Sequence, residues 1–456
     1  MRWLHVLIFA GLAASASAAS HPNPYTDLAD RARSLPPEFA ADALLRIVGA
    51  PGVTDIAWQR QVIEDAFHIA AGGQQPFDRH SWNGRPTGPL DKAYAQGLDV
   101  CTLQCRAVHA MLAVDYKKAR ELFFEMPPPR LPRISCDDSL VDDVSIFYTT
   151  AAEVAARAFS LKEIAQDEPF HLLLRYAADI TSPVQVAPVA SMLSSASIKR
   201  QQLEALVDSL AGAIGQLGGD DRSFSAAIAG GSDAALGGLP SLCASHQVDA
   251  HPLVDAWHAY VARHLNGARC ADSAALTPAP SGGQAPSASV DGKAKPADEC
   301  HSPECLDLGR QLAKLVIAPN GQVLSVTEES TGDWGARLRQ YLSALTDWSG
   351  DDDPAECFAW KSHYYSLLFD LAPDGPGRDL VLSNMLAWLQ QNSFQYNHRV
   401  EWFYPANALI IRAFANSATM KTTVRQLRQS ADPVIALFAQ LEQLFPRSVG
   451  ETFGLL

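Results

Sequence analysis

The chain has 456 residues, 47% of them hydrophobic, enough for a packed interior and, by length, for two or three domains. Its formal net charge of -14 and isoelectric point near 5.3 argue against a nucleic-acid partner, because phosphate binding needs clustered Lys and Arg that this chain lacks. Acidity of this kind mainly keeps a protein in solution.

The chain opens on the plan of a secretory signal peptide: Arg2, an apolar run over residues 3–14, then the small residues Ala16, Ser17 and Ala18. Residues 1–18 are expected to be removed by cleavage after Ala18. The run is shorter than the roughly 20 apolar residues of a spanning helix, and no later stretch is long and uncharged enough, so no stable membrane insertion is expected after cleavage. No cysteine precedes Cys101, which leaves no lipid attachment point beside the signal. The expected location is periplasmic or secreted.

Residues 22–267 read as an N-terminal α-helical lobe. Between Cys105 and Pro127, Asp115, Tyr116, Ala119, Leu122 and Phe123 resemble the second helix of a tetratricopeptide repeat, with Ala107 where that family uses a small residue in its first helix. Arg106, Ala110 and Val114 depart from the family pattern, and no 34-residue period follows. The resemblance covers about one repeat and implies paired helices. In general character the chain is similar to exported bacterial α-helical repeat proteins, a likeness that carries no catalytic residues.

Leu140, Val144, Phe147, Tyr148, Ala151, Val154 and Ala158 trace one face of a long helix at three- and four-residue offsets. The aspartates at its start, Asp137, Asp138, Asp142 and Asp143, resemble the aspartate-rich helices of all-α isoprenoid synthases. No second such helix and no basic cluster for diphosphate accompanies them, so they read as helix-capping groups at the positive end of the dipole. Leu203, Leu206, Leu210, Ile214 and Leu217 mark a further helix, ended by Gly218 and Gly219. Gly230, Gly231, Ser232, Gly237 and Gly238 read as a glycine-rich loop without the strand and lysine a phosphate cradle needs. His251, Asp255 and His258 share a helical face but read as surface or capping groups rather than metal ligands.

The eight cysteines include no Cys-x-x-Cys pair, which favours structural over redox roles. Residues 268–298, rich in Ala, Pro, Ser and Gly, cannot bury enough surface to offset their ordering entropy, and read as a disordered linker to a C-terminal α-helical lobe, 299–447. Two accounts fit residues 315–327: a hairpin turning at Pro319, Asn320 and Gly321, or a helix ending there. Helical stripes follow at Trp334, Leu338, Tyr341, Leu342 and Leu345, and at Val434, Leu437, Phe438, Leu441, Leu444 and Phe445, the latter capped by Asp432 ahead of Pro433. Asp351, Asp352 and Asp353 lack the ligand spacing of a calcium loop. No Gly-x-Ser-x-Gly and no His-Glu-x-x-His is present.

The fold class expected is therefore all-α, a helical-repeat (α-solenoid-like) array or multi-helix bundle. Where charge and rings mix, His398, Arg399, Glu401 and Trp402 form a candidate binding groove for a peptide or glycan. The functional expectation is a non-catalytic protein-interaction scaffold of the cell envelope or secreted space, whose partner is another protein or a peptide, with no cofactor, metal or catalytic residue assigned. The alternative is an exported hydrolase or lyase using carboxylates such as Glu401 and Asp353 with aromatic platforms.

Overall fold

The computed structural model describes residues 25–81, 89–136, 138, 140–218, 222–265, 302–316, 331–350, 354–372, 375–392, 398–416 and 420–447. The expected signal segment, the expected linker and Asp351–Asp353 lie outside the described residues.

The fold is all-α, with twenty-one α-helices, one short 3-10 helix (Pro183–Gln185) and one two-stranded ribbon among the described residues. The first helices are α1 (Thr26–Arg33), α2 (Pro37–Val48) and α3 (Ile56–Ala70), followed by β1 (Asp78–Ser81), α4 (Pro89–Tyr94), α5 (Val100–Val114) and α6 (Tyr116–Glu125). After β2 (Leu140–Asp143) come α7 (Ser145–Arg157), α8 (Leu161–Ala165), α9 (Glu168–Ala178), α10 (Val186–Ser195), α11 (Arg200–Gly215), α12 (Arg222–Ala229), α13 (Ser232–Ser245) and α14 (His251–Leu265). The later part contains α15 (Pro303–Val316), α16 (Thr331–Asp347), α17 (Pro354–Leu371), α18 (Pro376–Gln391), α19 (Arg399–Ala415), α20 (Lys421–Arg428) and α21 (Pro433–Leu444).

Several starts are set by side-chain caps, which satisfy amides that have no partner inside the helix. Asp99 accepts from the Thr102 amide at 2.8 Å, Asp115 from Lys117 and Lys118 at 3.1 Å each, and Asp432 from Val434 at 2.9 Å. Proline at the first turn, where its missing N–H costs nothing, opens α2, α18 and α21. No described helix is long and apolar enough to cross a membrane.

Helices pack in alternation. In the earlier part α3, α5, α7, α10 and α13 lie side by side in sequence order, while α9, α11 and α14 form a second row. The later part repeats the plan with α15, α17, α19 and α21 in one row and α16, α18 and α20 in the other. The two parts meet where α21 rests on α2 and α19 on α4. Phe39 on α2 anchors this junction, its ring centroid 4.9 Å from Phe403 and 6.2 Å from both Trp402 and Phe438. Buried polar groups complete it: Arg46 reaches Glu442 at 2.9 Å, Arg447 reaches the same carboxylate at 2.9 Å, and Arg447 also donates to Asn407 at 2.7 Å.

Three sequence expectations are corrected. The helix expected from Leu140 starts instead at Ser145, because residues 140–143 pair antiparallel with β1, Asp78 opposite Asp143 and Ser81 opposite Leu140. Of the aspartates expected to cap that start, Asp137 lies outside the described residues, Asp138 accepts from the Ser135 amide at 2.8 Å, and Asp142 pairs across the ribbon with Arg79 at 3.3 Å. The glycine-rich stretch is mostly helical. Gly231, at φ +81°, caps α13, and Gly237 and Gly238 lie inside that helix. The helix expected to end at Gly218 closes at Gly215. Leu315 and Val316 belong to the end of α15, and residues 317–330 lie outside the described residues.

Cys136 and Cys305 are disulfide-bonded, whereas Cys101, Cys105, Cys243 and Cys357 are buried and stand outside any disulfide. Cys101 and Cys105 lie one turn apart on α5, and their mutual hydrogen bond, together with burial, pushes the Cys101 thiol well up.

Candidate functional site

The most unusual chemistry surrounds the ribbon. A two-stranded ribbon is marginal alone, so this one is held from outside. Leu140 and Val141 are buried, Val141 in a small cluster with Ile134 and Ala226, and β1 packs on α4.

Cross-strand partners in an antiparallel pair project from the same face, and neighbours along a strand from opposite faces. One face therefore presents Asp78, His80, Val141 and Asp143; the other presents Arg79, Ser81, Leu140 and Asp142.

The first face borders a cavity of about 380 Å³, walled also by Ala95, Ser145, Val184, Ala187 and Pro188, and by the junction of α12 with α13. Asp143 is fixed by the Ser145 amide, which donates to it at 2.7 Å, and His80 Nδ1 lies 3.8 Å from its other oxygen. Asp78 accepts from the Arg79 amide at 2.8 Å. Behind it, the amides of Val100 and Cys101 donate to the carbonyls of Gln75 and Pro76 at 2.8 and 3.1 Å, which brings the start of α5 and its capping residue Asp99 alongside. Burial, and then the Asp99 charge, push the Asp78 carboxyl up to about 8. Burial raises Asp99 to about 6 despite the Thr102 amide that stabilises its ionised form.

The opposite face leads to the sequence-derived groove residues. The Arg79 guanidinium lies 5.5 Å over the Tyr94 ring, and the Tyr94 hydroxyl donates to Glu401 at 2.5 Å. Burial raises the Glu401 carboxyl, while its bond from Tyr94 and the nearby His398 pull it back down. His398 Nδ1 stands 3.7 Å from Glu401 and its side chain is 44% exposed. Arg399 is drawn to the buried Glu38 at 3.4 Å, and its amide donates to Gln74 at 3.1 Å. Trp402 is fully buried, its indole N–H donating to the Leu389 carbonyl at 2.9 Å. These four residues thus sit at the junction of the two helical parts, with only His398 and Arg399 offering surface to a ligand.

The other sequence candidates, His251, Asp255 and His258, all lie on α14. His251 turns to Asp249, Nδ1 lying 2.5 Å from Oδ1, and His258 borders a separate apolar cavity with Trp257 and Leu236. Among the described residues no group of three His, Cys, Asp or Glu side chains is placed to hold a metal ion. Sequence reasoning passed over Asp78, His80 and Asp99. The cap signal of Asp99, ahead of the apolar Val100–Val114 run, was present in the sequence; nothing local marked Asp78 or His80.

Comparison with known protein families, with characterised proteins and with solved structures finds no match to this chain.

Proposed function

We propose that the chain is a non-catalytic interaction protein of the cell envelope or secreted space, reached through its signal segment, and that the ribbon cavity is where it grips a protein or peptide partner. One observation supports this reading above the others. Separate stretches of chain, β1, β2 with the start of α7, the segment around Ala187, and the α12–α13 junction, converge to fix Asp78, His80 and Asp143 around one opening. Much of the remaining wall, Ala95, Val141, Val184, Ala187 and Pro188, is apolar, a lining that supports recognition of a partner's side chain.

A photo-crosslinking residue at Ala187, on the cavity wall, tests it in cell-envelope extract. A discrete partner should be captured, and capture should fall when Asp143→Asn is added. Capture that ignores Asp143 would remove the cavity from recognition.

The rival, an exported hydrolase or lyase, draws on the same carboxylates. Asp78, raised to about 8, keeps its proton at neutral pH, the state a general acid requires. Turnover of glycoside or ester substrates by the intact protein, lost in Asp78→Asn, would favour it.

A further inference from the structure

One surface helix contributes nothing to the interior. α8 is five residues long, Leu161–Ala165, and none of its side chains is buried. It is nevertheless held in place. Ser160 and Glu163 close a capping box at its start, Arg120 on α6 reaches Glu163 at 2.9 Å, and the same guanidinium lies 4.6 Å over the Phe159 ring. The position so fixed presents apolar surface to water: Leu161 is 87% exposed, and Ile164, one turn on along the same face, 43%.

A single exposed leucine is ordinary, but this one stands beside a hole. Ile164 also borders a cavity of about 360 Å³, more than a leucine side chain fills. The space exists because α7 offers it only Ala152, Ala155 and Ala156, opposite Phe170 and Leu173 of α9 and Ile198 ahead of α11. One corner is polar and already satisfied: Asp167, at φ +57°, accepts from Lys199 at 2.9 Å and from Gln202 at 2.8 Å. The charges flanking these features are uncommitted. Lys162, next to Leu161, and Glu168, next to Asp167, are exposed and join no ion pair among the described residues.

We propose that this face pairs with the same face of a second copy of the chain, the Leu161 side chain of each copy entering the alanine-floored cavity of the other. A two-fold contact makes every interaction twice, so it demands that projection and recess occur on one surface. α8 and the cavity meet that demand, with Ile164 belonging to both. An unrelated partner would need only one of the two. Charge agrees: the Lys162 beside the inserted leucine is carried to the rim where the other copy's Glu168 stands, and the pairing repeats across the axis. The apolar centre is small, so the dimer is reversible, with a dissociation constant on the order of 10–100 µM. This face shares no lining residue with the ribbon cavity, and the two assignments stand or fall separately.

Sedimentation equilibrium of the full chain between about 1 and 200 µM tests the pairing, with the thermal midpoint of every variant measured at the low end of that range. The parent should pass from monomer to dimer across it. Leu161→Asp puts a charge on the projection, and Ala156→Phe fills the recess from an exposed wall position. Each should raise the dissociation constant about tenfold or more and leave the midpoint of the monomer unchanged. Lys162→Glu and Glu168→Lys should each weaken the dimer about threefold in low salt, and the two exchanges together should restore it. A chain that stays monomeric at about 200 µM, a dimer indifferent to Leu161→Asp or to Ala156→Phe, or a double exchange as weak as the single ones each overturns the pairing.

Discussion

Tyr94 donates its hydroxyl proton to Glu401 at 2.5 Å across 307 residues of sequence, tying α4 to α19 inside the protein. Tyr94→Phe keeps the ring and deletes the donor, leaving a buried carboxylate short of a partner. The expected loss is about 1–3 kcal/mol, read as a lower denaturation midpoint. Glu401→Gln, which preserves an acceptor for Tyr94 without the charge, should cost less.

Asp78 makes the protein less stable as pH rises. Its folded value of about 8 stands above the ordinary 3.8, so the folded state holds the proton more tightly than the unfolded chain. The stabilisation is complete below 3.8 and is lost as pH climbs towards about 8. Asp78→Asn removes this term. In denaturant titrations at pH 9 the variant should exceed the parent by an amount on the order of 2–4 kcal/mol, and the gap should shrink as the pH is lowered through that window. A constant gap from pH 5 to 9 would contradict the burial of this carboxylate.

Phe39 is fully buried against three rings from α19 and α21. Phe39→Ala should cost about 3–5 kcal/mol. Hydrogen exchange should quicken in α2, α19 and α21 together, whereas α11 and α14, packed on one another elsewhere, should keep their protection.

Glu442 is clasped by Arg46 and Arg447, which hold it below the ordinary glutamate value of 4.5 although burial acts the other way. Its contribution is present above 4.5 and is lost as acidification passes through the depressed folded value. Glu442→Ala removes the carboxylate shared by two largely buried guanidinium groups, leaving Asp42 as their nearest remaining counter-charge, and should cost about 2–4 kcal/mol at neutral pH, measured by chemical unfolding. At a pH low enough to protonate Glu442 the penalty should fall away.

The helical stripes were legible because burial on a helix writes itself at three- and four-residue spacing: the stripes from Trp334 and from Val434 both fall on helices, α16 and α21. The ribbon was not. Asp78–Ser81 is four residues long and has no apolar alternation, and its partner strand is remote in the chain, so no local window contains the pairing. Asp142 and Asp143 were noticed as acids yet placed on a helix, since the apolar stripe from Leu140 to Ala158 runs unbroken through both the strand and the helix that follows. The mixture of charge and rings from His398 to Trp402 was legible as an unusual patch. That its counterpart was Glu38, Gln74 and Tyr94 depended on a contact between distant segments, which periodicity does not encode.

The bridge from Arg46 to Glu442 spans 396 residues. At ordinary translation rates of about 5–20 residues per second, the apolar face of α2 emerges roughly 20–80 s before the helices that cover it. Throughout that interval Phe39 and its neighbours are exposed on a nascent polypeptide, a hazard that a holding chaperone can shield until synthesis is finished.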